Sequence, residues 1–83
     1  MSNVESVNEE WVLEVNRNPT NSMTWLNIDA LARAQSRDAA FAGRGVATNW
    51  VRVGQYPSIK AASDAATVFR QEHAAQRPPE PDI

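Results

Sequence analysis

Hydrophobic and polar residues alternate in the segment EEWVLEVN, which is the pattern of a half-buried β-strand. Trp11, Leu13 and Val15 fall on one side of the extended chain, and Val12 and Glu14 fall on the other. β-branched valines favour strands. The pattern therefore predicts a strand near the N-terminus of the folded region.

A helical interpretation of the same segment stays open. Ser6 and Glu9 have the spacing of a capping box, and Val7, Trp11 and Val15 share one side of a helix.

A turn-forming segment, NRNPTNS, separates this strand from a second alternating segment, MTWLNI. In the second segment Leu26 and Ile28 face one way and Asn27 faces the other. We predict that residues 10–28 form an antiparallel hairpin with a long loop. The alternative is that residues 22–28 already begin the next helix.

Residues 29–42 are rich in alanine, which is the best helix former, and predict the first helix. Asn27 or Asp29 is expected to cap its first amides. Gly43 and Gly45 are expected to end it, because glycine adopts the left-handed backbone conformation at low cost.

This helix separates a basic side from an apolar side. Arg33, Arg37 and Arg44 lie on the basic side, at i, i+4 and i+11. Guanidinium groups at this spacing can follow a phosphate backbone or an acidic protein surface, so these arginines are candidate contacts for an anion or an acidic surface. The opposite side gathers Ile28, Leu31, Ala32, Ala39 and Ala42.

The segment NWVRVGQY predicts a further strand. We assign Val51 and Val53 to the inner side and Trp50, Arg52 and Tyr56 to the outer side. An exposed Trp–Arg–Tyr row has the composition of an interface hot spot, so these three residues are the candidate partner-binding site. The reverse orientation, with both aromatic residues in the core, and a homodimer seam are the alternatives.

Residues 58–76 predict the last helix, with Ser58 as its N-cap. We expect residues 77–83 to be an extended, proline-rich tail and residues 1–8 to be a flexible lead-in to one domain over residues 9–76. The predicted fold is α+β: a small antiparallel sheet of two or three strands packed against the two helices. The apolar stripe of the last helix consists of Ile59, Ala62, Ala66, Phe69 and His73.

The strand and helix start in residues 50–66 resemble the closing unit of AP2-type DNA-binding domains. In that unit a glycine and an aromatic residue precede a Ser or Thr, and paired alanines open a helix; Gly54, Tyr56, Ser58 and the pair Ala61–Ala62 stand at these positions. The resemblance covers this segment alone, because a long helix replaces the tightly spaced strands expected upstream. It implies a nucleic-acid-binding alternative.

Composition removes several classes of site. The 83 residues include no cysteine and one histidine, His73, so disulfides and thiolate metal sites are excluded. No phosphate-binding loop or metal-ligand spacing is present. The chain carries a net charge of −2, whereas strong non-specific nucleic-acid binders are usually basic. We therefore expect the chain to have no enzymatic activity and to bind no cofactor and no metal.

The sequence favours a small non-enzymatic protein-binding module, such as a regulator, adaptor or inhibitor. The partner is a protein of unknown identity, and a homodimer would help a chain with so small a core. The alternative function is nucleic-acid binding through the basic helix side. The absence of a long apolar run predicts no membrane partner and a cytoplasmic location, and the high arginine and alanine content suggests a bacterial or phage origin.

Overall fold

A computed structural model describes residues 10–80 as three strands and two α-helices. This arrangement confirms the predicted α+β class with a small antiparallel sheet. The predicted lead-in, residues 1–8, and the proposed capping box at Ser6 and Glu9 lie outside the described residues. The elements are β1 (Trp11–Asn16), a 3₁₀ turn (Ser22–Thr24), β2 (Leu26–Ala30), α1 (Leu31–Gly43), β3 (Trp50–Tyr56), α2 (Ile59–Glu72) and a second 3₁₀ turn (Ala74–Gln76).

The sheet has the order β2-β1-β3, and β1 pairs antiparallel with both neighbours. Leu13 lies opposite Ile28, and Glu14 lies opposite Asn27. Because successive residues of a strand point to opposite faces, the sheet has a Leu13 face and a Glu14 face. The predicted β1–β2 hairpin is confirmed, and the helical interpretation of Trp11–Asn16 is wrong.

The long hairpin loop is held by its own polar residues. The Asn21 side chain accepts a hydrogen bond from the Met23 amide, and the Thr24 hydroxyl closes a capping box with Asn21. The tail also contributes here, since the Ser22 amide donates to the Pro79 carbonyl at 2.8 Å. The tail segment that was predicted to be merely extended is therefore tied to this loop.

The first helix begins without the predicted cap. Its N-cap residue is Ala30, which has no side-chain oxygen, and residues 29 and 30 belong to β2. Asp29 accepts instead from the amide of Ala30, and the Leu31 amide donates to the Glu10 carbonyl. The predicted end is confirmed, because α1 stops at Gly43 and Gly45 has a φ of 72°.

The second helix starts as predicted and packs across all three strands. The Ser58 side chain accepts from the Ala61 amide. Helix α1 forms hydrogen bonds to the Glu14 face, as described below. Leu13, on the opposite face, is fully buried, so we assign α2 to the Leu13 face. Phe69 of α2 makes an edge contact with Trp25, with ring centroids 5.7 Å apart.

The core contains few large apolar side chains. Among residues 10–80, four of the seven buried hydrophobic residues are alanines, and the three largest fully buried side chains are Leu13, Glu14 and Val12. One of these three is a carboxylate. A chain of this size can bury only a modest apolar area, and here part of the interior is polar.

The side of α1 that faces the sheet differs from the predicted one. Ala34 is completely buried, and Arg37 points inward. Ala32, Ala39 and Ala42, which were placed on the apolar side, are exposed. The reason is that α1 covers the polar Glu14 face. A buried carboxylate there must be paired with a cation, and the methyl group of an alanine cannot supply that pairing.

Candidate functional site

Strand β3 forms one edge of the sheet. Within residues 10–80 it pairs with β1 and with no strand on its other side. It has seven residues and is the longest of the three strands. An edge strand presents backbone N–H and C=O groups that another strand can pair with.

A β-bulge interrupts β3 and divides the predicted Trp–Arg–Tyr row. Gly54 lies opposite Leu13, but Arg52 lies opposite Glu14, so Val53 is an extra residue between them. Arg52 thus shares the Glu14 face, whereas Tyr56, opposite Trp11, lies on the Leu13 face. Trp50, opposite Asn16, falls on the Glu14 face with Arg52, and the prediction of one shared surface for all three residues is wrong.

The two valines are also more exposed than an inner position predicts, although Val51, opposite Val15, lies on the Leu13 face. Val51 and Val53 are each 43 % exposed, whereas Trp50 and Tyr56 are half-buried. The Tyr56 ring folds over Gly54, in the space that a side chain at residue 54 would occupy. The exposed apolar surface of β3 is therefore formed by its valines, with the aromatic rings beside them.

Beneath α1, Glu14 is fully buried and is held by three donors. Two nitrogens of Arg37 donate to its two carboxylate oxygens, at 2.9 and 2.6 Å. The Asn27 amide donates at 3.1 Å and Arg52 donates at 3.2 Å. A two-pronged guanidinium–carboxylate pair is among the strongest polar contacts in proteins. This pair links α1 to β1, and the bonds from Asn27 and Arg52 connect the same carboxylate to β2 and β3.

The surroundings of Glu14 keep it ionised. Burial by itself raises the pKa of the Glu14 carboxyl, but hydrogen bonds from Arg37, Asn27 and Arg52 outweigh that effect and lower the pKa to about 2. The same pairing raises the pKa of Arg37 further above its already high value. The cluster is therefore a permanent ion pair at neutral pH.

Asp38 completes the cluster at its solvent-facing side. Its carboxylate accepts from Arg37 at 2.8 Å and from Arg52 at 2.9 Å. The hydrogen bond from Arg37, with a smaller one from Arg52, lowers the pKa of Asp38. Two carboxylates thus balance two guanidiniums. We call Glu14, Asn27, Arg37, Asp38 and Arg52 the Glu14 cluster.

The three arginines predicted as one basic row have different surroundings in the fold. Arg37 lies in the Glu14 cluster, and Arg33 pairs with Asp29 at 3.5 Å. Arg44 lies beyond the end of α1, with its guanidinium carbon 5.1 Å from the centre of the Phe41 ring. Two of the three thus have a carboxylate partner within the chain, although the side chain of Arg33 is largely exposed.

The sequence pattern predicts no buried cluster around Glu14 or Asp38, and it assigns Asn27 to a helix cap and not to a bond with Glu14. A signal was available in β1, where Glu14 stands between Leu13 and Val15 in the middle of a predicted strand. A carboxylate at such a position needs a cation if its face is covered. Nothing in the local pattern indicates that Arg37 and Arg52 supply it.

Other classes of site are not found within residues 10–80. No group of three metal-ligating side chains and no enclosed pocket occurs there. No helix in that range is both long and apolar enough to cross a bilayer. No family model, curated protein or solved structure matches the chain.

Proposed function

We propose that this chain is a small protein-binding module that engages its partner through the free edge of β3. The observation that supports the proposal is that β3 is an edge strand of seven residues with exposed valines at positions 51 and 53. Pairing with an extended segment of a partner is a common way to use such an edge.

The edge has little of the protection that usually prevents unwanted pairing. Between Trp50 and Tyr56 there is no lysine and no proline, and the single charged residue is Arg52. Charged residues, prolines and bulges are the usual protective devices. Of these devices the strand has the bulge at Val53 and one charged residue, Arg52, whose charge is balanced by Glu14 and Asp38.

The nucleic-acid alternative has weaker support. Phosphate binding depends on cationic side chains that are free to replace counterions. Arg37 and Arg52 are bound in the Glu14 cluster, and Arg33 has Asp29 as a partner. Among the three arginines predicted as a basic row, Arg44 is the one whose guanidinium contacts an aromatic ring and not a carboxylate.

Co-purification with β3 variants tests the proposal. The double variant Val51→Lys and Val53→Lys places two positive charges on the β3 edge. Met23→Lys is the control, because Met23 is 78 % exposed and lies in the turn before β2, at the opposite edge of the sheet. We expect the wild type and the control to retain a protein partner from the native host and the double variant to lose it. Circular dichroism must show that all three are folded.

Two results would contradict the proposal. One is equal recovery of the partner by the double variant and the control. The other is recovery of nucleic acid alone, lost steeply as salt is raised.

A further inference from the structure

We propose that residues 77–80 form a strap that fastens the end of α2 to the β1–β2 loop and keeps Trp25 out of water. The strap opens while the sheet stays folded, so it is a conformational device with a closed and an open state. This inference is independent of the proposed function, because it concerns the C-terminal segment and not β3.

The strap joins two parts of the chain that are far apart in sequence. It continues from the 3₁₀ turn Ala74–Gln76, which follows α2. Its other end meets the β1–β2 loop, where the Pro79 carbonyl accepts from the Ser22 amide at 2.8 Å and the Ser22 hydroxyl donates to the Glu80 carboxylate at 3.4 Å. Arg77 pairs with Glu80 inside the strap. These bonds tie the loop to the C-terminal end of α2.

Trp25 lies on a closed circuit that the strap completes. Ser22 begins the 3₁₀ turn that ends at Trp25. The Trp25 ring contacts Phe69, and the Phe69 ring stacks on His73 with centroids 4.0 Å apart. His73 ends α2, and from there the strap leads back to Ser22. Trp25 is only 5 % exposed although it lies between a turn and an edge strand, and we assign part of this protection to the closed strap.

The strap is held more weakly than the sheet. Arg77, Pro79 and Glu80 are exposed, and Pro78 is half-buried. Water competes for exposed hydrogen bonds, and exposed ion pairs add little stability. Segments with few buried contacts open locally at a lower free energy than the whole domain. The strap is therefore expected to open before the strands separate.

The variant Ser22→Pro opens the strap selectively. Proline has no amide hydrogen, so the bond to Pro79 is lost, and the hydroxyl bond to Glu80 is lost with it. Proline suits the first position of such a turn, and Asn21 before it has the extended backbone that proline favours in its neighbour. Ser22→Ala is the matched control, because it keeps the amide and loses the hydroxyl alone.

Fluorescence of Trp25 reports the opening. The substitutions Trp11→Phe and Trp50→Phe leave Trp25 as the one tryptophan of the full-length chain. In this background we expect Ser22→Pro to shift the emission to the red and to raise acrylamide quenching several-fold, with the circular dichroism of the fold retained. Ser22→Ala should stay close to the parent. Equal emission and quenching for the proline and alanine variants would overturn the proposal.

Hydrogen exchange of the wild type gives a measurement that does not depend on any variant. We expect the Ser22 amide to exchange more slowly than in an unfolded chain, yet an order of magnitude or more faster than the paired amides of β1. Its rate should be insensitive to low urea, because opening the strap exposes far less surface than unfolding. An unprotected Ser22 amide would show that the strap is not closed. An amide that exchanges only as fast as those of β1 would show that the strap does not open by itself, and either result overturns the proposal.

Discussion

Glu14→Gln is expected to lower the free energy of unfolding by about 3–5 kcal/mol, the usual cost of removing one partner from a buried ion pair. The substitution preserves the size of the side chain but removes its charge. It turns an amide NH₂ group toward Arg37 or Arg52, where two acceptor oxygens stood. Domains of 83 residues have roughly 4–12 kcal/mol of stability in total, so the loss is a large share. Urea unfolding measures it.

Two controls separate this effect from a general effect of lost charge. Asp64→Asn removes an exposed carboxylate paired with Lys60 at 2.9 Å, and exposed pairs contribute at most about 1 kcal/mol. Asp38→Asn removes the solvent-facing carboxylate of the Glu14 cluster and should give an intermediate loss. If all three variants lose the same stability, the Glu14 cluster is not what holds α1 to the sheet.

Acid is expected to destabilise the protein between about pH 4.5 and pH 2. The pKa of Glu14 is about 2 in the folded chain, against 4.5 for an ordinary glutamate. A group whose folded pKa is depressed contributes stability above its unfolded pKa and loses it as the pH falls through the folded pKa. A difference of this size corresponds to about 3 kcal/mol, and the lowered pKa of Asp38 acts in the same direction.

Urea unfolding at a series of pH values from 7 to 2 measures this dependence. We expect the contribution of Glu14 to the free energy of unfolding to be constant above about pH 6 and to fall steeply below pH 4.5. The Glu14→Gln variant should lack that part of the decline, since it has no carboxyl at position 14 to protonate. Parallel pH curves for the variant and the wild type would show that Glu14 does not contribute the expected stability.

Much of the fold follows from patterns that are local in sequence. The alternation of Trp11, Leu13 and Val15 predicts β1, and Ser58 predicts the start of α2. Each depends on the strand period or on a cap within a few residues, so tertiary contacts are not needed to recognise it. The hairpin of β1 and β2 follows from two alternating segments around one turn-rich loop.

The Glu14 cluster and the bulge could not be predicted in this way. Arg37 is 23 residues from Glu14 and Arg52 is 38 residues from it, so a helix considered alone shows Arg37 as a surface residue. Alanine occurs at exposed and at buried positions, so the alanines of α1 do not indicate which side of the helix faces the sheet. The bulge at Val53 shifts Tyr56 to the other face, whereas a strict period of two places it with Trp50 and Arg52.

The most direct test of the proposed binding surface is site-specific photo-crosslinking from β3. A photo-reactive residue in place of Val51 is compared with the same residue in place of Met23, which is more exposed but lies near the opposite edge of the sheet. We expect protein crosslinks from position 51, to a second copy or to another protein, and none of comparable yield from position 23. Equal yields from the two positions, or no protein crosslink from position 51, would contradict it.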